Sequence, residues 1–401
     1  MKLGGFAAVC GSLLLVATAG YAQDTPAPAP ATPPDRSLVS RLSGTFNKPL
    51  HPVVKGVAST GGIGVGLEYD FPALGRWETT ATAVVTVRRY WSAELETAYR
   101  GDRTHVAAYA RMREMSQLGF FGVGIDSGLR DRTTFLLRDP VVGALASVRV
   151  GRWIAIGGRL EEVWPDVGAG RSTIYPTIGT RFGADDAPGL NEQPRFGRYQ
   201  GFVEFKAPAS IGQALSQGGR YRIAYAVFED QQFDRFTFLR LDLEAQHKFA
   251  LFGPHRRLAL HGWIATTDVE AGNDVPFFLQ PTLGGSGQLR SVGEDLMGSD
   301  GSHGTLRGFN NFRFRDRNLL LLQAEYRIPV WGPFDASVFV DAGKVASRPA
   351  DLNLAGLKHN YGFSVSMMRG PMAVARAEVG VGGGEGARFL LSFAMGGDVV
   401  Q

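Results

Sequence analysis

Charge falls on one face of almost every extended run in this chain. Between Leu239 and Phe249, Arg240, Asp242, Glu244, Gln246 and Lys248 share one parity, and Leu239, Leu241, Leu243, Ala245 and Phe249 share the other, with His247 the exception. Between Leu320 and Ile328, Gln323, Glu325 and Arg327 oppose Leu320, Leu322, Ala324, Tyr326 and Ile328. Between Phe334 and Asp341, Asp335, Ser337 and Asp341 oppose Phe334, Ala336, Val338 and Val340. A period of two is the mark of a β-strand. A soluble antiparallel sheet shows the same alternation with its polar face in water. A soluble sandwich, however, would have to turn all these charged faces outward around a thick apolar core. A porin-like barrel inverts the arrangement, with lipid outside and a polar lumen.

The sequence therefore predicts an all-β fold, a transmembrane antiparallel β-barrel of about sixteen strands. The competing class is a soluble, secreted all-β protein. The 53 glycines argue against a helical protein, and an aromatic content of 11% suits girdles at the two membrane interfaces. Mean hydropathy is −0.05, as expected when apolar and polar residues alternate. The first strand is placed at 61–71 and taken to run outward, with others at 133–148 and 173–182. Connections 269–317 and 344–359 then lie outside, and Pro329–Pro333 and Arg369–Pro371 form tight inner turns. Residues 114–132 fit poorly, because this count puts a long connection on the side where turns should be short.

Residues 1–22 read as a secretory signal peptide: Lys2, an apolar run from about Phe6 to Ala19, and Gly20-Tyr21-Ala22 before the cleavage point. Residues 23–60 read as a Pro-rich linker and a short N-terminal segment of unclear structure, and 61–401 as the barrel. Cys10 is the only cysteine and sits too early for a lipoprotein signal, so the exported chain has no disulfide or thiolate site. The expected location is the bacterial outer membrane, reached through the cleaved signal.

Three motifs near the C-terminus add specificity. Leu306-Arg307-Gly308-Phe309 lies in a long Gly-rich loop, Gln323-Ala324-Glu325-Tyr326-Arg327 follows on a strand, and Phe339-Val340-Asp341-Ala342-Gly343 ends the next. In this order they resemble the outer-membrane protein assembly and secretion barrels of the BamA/TamA type, also called bacterial surface antigen barrels. The resemblance covers roughly Gly61 to Gly397. It implies that Arg307 folds into the lumen and meets Asp341 and Glu325 on the inner wall. The inward parity of both acids agrees, and a planar guanidinium suits two close carboxylates better than an ammonium does. Gly308 is expected to allow a tight bend and Phe309 to pack on the wall, with Phe339 and Gly343 completing this loop–lumen lock. Two departures stand out. Between the expected cleavage site and Gly61 there is no room for even one of the periplasmic POTRA domains of well-known members, so a stand-alone form is expected, and the chain ends in a polar tail, with Phe393 the nearest candidate for the usual terminal aromatic.

Gly61-Gly62-Ile63-Gly64-Val65-Gly66 lacks the spacing, the helix and the Lys-Ser/Thr of a phosphate loop. It reads either as a barrel seam, with Gly62, Ile63 and Gly64 facing Phe393 where first and last strands meet, or as a strand thinned for curvature. Glu294, Asp295, Asp300 and His303 cluster in the long loop without metal-site spacing, so no metal is expected. No hydrolase elbow appears, and no basic run interleaved with aromatics, so neither an enzyme, a cofactor nor nucleic acid is expected. Among the functions that remain, assembly or translocation of proteins or lipids at the outer membrane leads. A passive solute pore and a structural surface antigen are the alternatives. The implied partners are outer-membrane lipid, client proteins and a separate periplasmic partner.

Overall fold

The computed structural model describes residues 49–58, 60–208, 216–253, 255–285, 304–369, 372–395 and 398–400. The expected signal peptide and the Pro-rich part of the 23–60 stretch lie outside these residues, as does the Glu294–His303 cluster.

Of the nineteen strands in the main sheet, sixteen form a wall in which each pairs antiparallel with the next in sequence. They are β1 (Leu50–Val54), β2 (Gly64–Asp70), β3 (Trp77–Thr86), β4 (Trp91–Arg100) and β5 (Thr104–Phe120). There follow β6 (Val141–Val150), β7 (Ile154–Val163), β8 (Phe196–Ala207), β9 (Ser216–Asp230), β10 (Phe238–Ala250) and β11 (Arg257–Val269). The last are β12 (Asn318–Trp331), β13 (Phe334–Ala346), β14 (Lys358–Arg369), β15 (Met372–Gly382) and β16 (Ala387–Met395). A terminal hairpin strand, Asp398–Val400, folds back on β16.

The wall is inside-out. On β13, Ser337, Phe339 and Asp341 are buried while Val338 and Val340 are exposed; on β14, Asn360, Ser364 and Ser366 are buried while Tyr361, Phe363 and Val365 are exposed. Water-filled surroundings would select the opposite pattern, and lipid selects this one. Exposed Phe71, Trp77, Trp153, Phe252 and Trp331 all flank the rim with the tight turns, at the depth an interfacial girdle occupies.

The structure corrects the strand parity. Residues 173–182 are not a wall strand: they lie in the connection between β7 and β8, with a single 3₁₀ turn at Ile178–Thr180. The run 133–148 divides into Thr133–Arg138 and β6. Leu50–Val54, inside the stretch read as linker and short N-terminal segment, pairs with Val65–Tyr69 as the first strand. The strand expected to run outward, β2, therefore runs toward the tight turns. Every long connection (121–140, 164–195, 270–317 and 347–357) now falls at one rim, and 101–103, 151–153, 251–256 and 332–333 at the other. The difficulty at 114–132 disappears with this correction. β5 is long, its first part pairs with β6, and Glu114–Phe120 pairs with Thr133–Arg138 within the loop rim.

The long connections fold inward. Phe120, Phe135, Phe196, Phe228, Phe238, Phe277, Phe278 and Phe312 form one buried cluster beneath the loop rim. Trp263, Leu283, Leu306, Phe309, Phe314 and Leu321 form a second. Loop and wall thus share a core inside the barrel. The inversion of the wall is testable at one mid-strand position. Val338→Arg is expected to destabilise the lipid-embedded barrel by about 2–4 kcal/mol in urea titrations in vesicles, if Val338 lies near the bilayer midplane. A loss no larger than that of an exposed loop substitution would argue for water on the outer face.

Candidate functional site: a buried arginine in the lumen

Four neighbouring strands, β12 to β15, build the inner wall that receives the loop tip. Their register aligns Glu325, Phe339, Gly362 and Gly380 in one cross-strand row. The row toward the loop rim holds Gln323, Asp341, Asn360 and Gly382. The row toward the turns holds Arg327, Ser337, Ser364 and Glu378. Period-two alternation places all twelve on the lumen side.

Arg307 descends from the 270–317 connection onto this surface and is fully buried. Its Nη2 donates to Asp341 Oδ1 at 2.7 Å, its Nε to Asp341 Oδ2 at 3.0 Å, and its backbone N–H to the same oxygen at 3.1 Å. Nη1 donates to Glu325 Oε2 at 2.8 Å and lies 3.5 Å from Glu378 Oε2. The guanidinium carbon sits 3.5 Å from the centre of the Phe339 ring, so one face of the cation rests on an aromatic. Asp341 accepts further hydrogen bonds from Gln323 Nε2 and Asn360 Nδ2, each at 2.9 Å. Arg376 bridges Glu325 at 2.9 Å and Glu378 at 3.0 Å, and Arg327 reaches Glu325 at 3.4 Å. Three arginines thus face three carboxylates. A buried charge is tolerated when it is paired and its remaining hydrogen-bonding capacity is filled, and both conditions hold here.

The close approach of the loop depends on missing side chains. A Cβ at Gly362 would stand 2.4 Å from the Phe339 ring, and one at Gly380 would stand 2.9 Å from the backbone of Arg307 and Gly308. These two glycines let the ring lie across β14 and the loop backbone settle on β15. The expected role of Gly308 is corrected by the same measure. Its φ is not positive, and a Cβ there would meet Asn360 Cβ at 2.7 Å and Gly382 N at 2.8 Å, so space rather than bending demands glycine. Gly343 leaves room for Leu283 of the loop, 2.9 Å from where its Cβ would be. Phe309 packs edge-on to Phe314 at 5.3 Å and lies over Gly382 and Gly383.

The structure thus brings Arg307, Gly308, Phe309, Glu325, Phe339, Asp341 and Gly343 together. Gln323 and Arg327, read from sequence only as flanks of the Glu325 motif, also belong to the site, and Asn360, Gly362, Arg376, Glu378 and Gly380 belong to it without having been singled out from sequence. Arg376 and Glu378 carried a usable signal, their inward parity on β15; the glycines acquire meaning only once the register is known.

The seam is placed differently from the sequence reading. Gly64 pairs with Thr86 on one side and its carbonyl accepts from Lys55 N–H on the other, so Gly62, Ile63 and Gly64 lie in the β1–β2 hairpin and not at an edge. Phe393 lies between Ala375 and Val400, so the terminal hairpin covers that part of β16. The sheet ends at β1 and at Asp398–Val400, and no hydrogen-bonded pairing joins these ends among the described residues.

A solved structure of BamA from Haemophilus ducreyi lacking POTRA domains 1-3 superposes with a TM-score of 0.53 at 12% identity, covering 87% of this chain and 67% of that one. The chain has the BamA barrel fold. CdiB from Acinetobacter baumannii gives a TM-score of 0.47 at 10% identity, covering 88% of this chain and 59% of that one. No protein-family model and no curated protein matches the sequence. The match to BamA is one of architecture: at this identity it carries the barrel and its strand order, and the lock stands on the contacts above.

Arg307→Ala leaves its carboxylate partners buried and under-neutralised. It is expected to cost about 3–5 kcal/mol locally and to open the 270–317 segment to proteolysis in the intact barrel. Gly380→Ala tests the steric half separately. It keeps every charge, is expected to cost about 1–3 kcal/mol, and should expose the same segment to cleavage. Unchanged proteolysis in both variants would show that the loop is held elsewhere.

Proposed function

We propose that this chain is an integral barrel of the bacterial outer membrane that acts in the assembly or translocation of proteins or lipids there, and that it catalyses no reaction of its own. The observation that carries this reading is the Arg307 lock within a BamA-type barrel. The loop is pinned to β12–β15 by buried ion pairs, and its apolar residues fill the lumen beneath the loop rim. A lumen packed in this way is a poor path for solutes. Work on a client would then fall to the barrel wall, whose edges among the described residues are β1 and the part of β16 that Asp398–Val400 leaves uncovered. A β-edge in lipid is costly to leave open, which makes it a template for an incoming strand. Orientation follows from the loops, with the long connections outside and the tight turns facing the periplasm, where a separate partner would deliver clients.

Two measurements on the detergent-purified chain in liposomes test the proposal. Insertion of an unfolded client barrel should be faster in its presence, and steady conductance should be small. In a Cys10→Ser background, cysteines at Val53 and Leu391 joined by flexible bis-maleimides should abolish the gain in insertion. Steady conductance with no gain in client insertion would replace this reading with that of a passive pore.

A further inference from the structure

Across the lumen from the lock, the wall of β5 to β10 and the underside of the infolded loops, which plug the lumen, line a cavity of about 110 Å³. Six arginines line it: Arg111 and Arg113 on β5, Arg198 on β8, Arg222 on β9, Arg240 on β10, and Arg315 from the plug. Three carboxylates face them, Asp139, Asp242 and Glu244. Those three are already engaged. Asp139 holds Arg113 through paired hydrogen bonds at 2.7 and 2.8 Å, Asp242 holds Arg240 at 2.8 and 2.9 Å, and Glu244 contacts His261 at 3.0 Å. Acids behind the lining do not cancel the excess, because Glu161 is shared by Arg159 and Arg198, and Glu204 by Arg220 and Lys206.

Two cations have the weakest compensation: Arg111 shares Asp139 with Arg113, and Arg315 meets no carboxylate among the described residues. Arg111 is nine-tenths buried; Glu94 stands opposite it across the ladder, its nearest ion pair is Asp139 at 3.7 Å, and its Nε has no hydrogen-bond partner among the described residues. Arg315 is 2% exposed, sits among the rings of Phe120, Phe135 and Phe277 and donates from Nη1 to the Phe277 carbonyl, while its Nε has no hydrogen-bond partner among the described residues. The contrast with the lock, where every arginine meets a carboxylate, is sharp. Buried guanidinium groups short of counter-charge are costly, and a planar fork of donors matches an oxyanion.

We propose that this chamber binds a compact multivalent oxyanion, of the phosphate or polycarboxylate class, with Arg111 and Arg315 as its principal donors. The chamber lies on the far side of the barrel from the lock and makes a separate site.

Gln280 gives a clean test, since it lines the chamber and its buried Oε1 has no partner among the described residues. Gln280→Glu is isosteric and places a carboxylate where the anion would sit. Calorimetric titration of the detergent-purified chain with inorganic pyrophosphate, against sodium chloride at matched ionic strength, is expected to give saturable one-to-one binding. Arg111→Gln and Gln280→Glu should each weaken it about tenfold or more, as loss of one charge-assisted contact predicts. Arg348→Ala, which removes an exposed loop cation outside the barrel, should leave it unchanged. If Arg111→Gln fails to fold, Gln280→Glu decides alone. Anionic phospholipid added to the micelles separates the sources: competition that vanishes in Gln280→Glu assigns the site to a headgroup phosphate, and no competition assigns it to a free ion. Absence of saturable binding, or binding indifferent to Gln280→Glu, overturns the proposal.

Discussion

Asp341 accepts five hydrogen bonds, three from Arg307 and one each from Gln323 and Asn360, and these draw on the loop and on three wall strands. A carboxylate satisfied so fully ties the registers of β12, β13 and β14 to the position of one loop residue. A slip of β13 by one residue would send Asp341 to the lipid face and Val340 to the lumen. The lock therefore depends on the wall being in register, and the loop can settle only on a wall already assembled. Glu325 and Glu378 extend the same logic to β12 and β15, with Arg376 as the cation between them.

Sterics and electrostatics divide the labour here. Ion pairs in a partly polar lumen are tolerant of small displacements, so charge alone would hold a loop loosely. The Phe339 ring lying across Gly362, and the Arg307–Gly308 backbone seated on Gly380, remove that slack. The guanidinium is then clamped between a flat aromatic face and the carboxylates around its edge. This geometry explains why glycines recur on β14 and β15 at the positions that face the loop, and why they belong to the site as much as the charged residues do.

Much of this was legible in sequence because a barrel wall repeats one simple rule. Alternation in 334–342 located β13 and the inward side of Asp341, and the same reading placed Glu325 beside it. What failed had physical causes. Residues 173–182 carry extended, β-prone side chains, yet they sit under the loop rim, where Phe182 packs edge-on to Phe120 and Ile178 joins the phenylalanine cluster in place of ladder pairing. Leu50–Val54 is too short to display a period and contains Pro52, which an edge strand tolerates. The two errors shifted the parity of the first strands and misplaced the seam by one strand. Gly362 and Gly380 were invisible because glycine has no parity signal; only cross-strand register reveals that they share a row with Phe339.

The lumen contains two arginine populations, and charge balance separates their roles. Around Arg307, cations and carboxylates match three to three, and desolvation is offset by direct pairs, so the arrangement is closed to outside ligands. Around Arg111 and Arg315, cations exceed carboxylates while volume remains. Arg315 shows the consequence within the plug: burial without a facing carboxylate pushes its guanidinium down to about 9, still charged at neutral pH. A group destabilised in its charged form and yet retained as an ion gains most from a counter-ion that arrives from solution. The same residue type thus serves as a fixed strut on one side of the barrel and as an under-compensated donor on the other, and the difference lies in which acids the neighbouring strands supply.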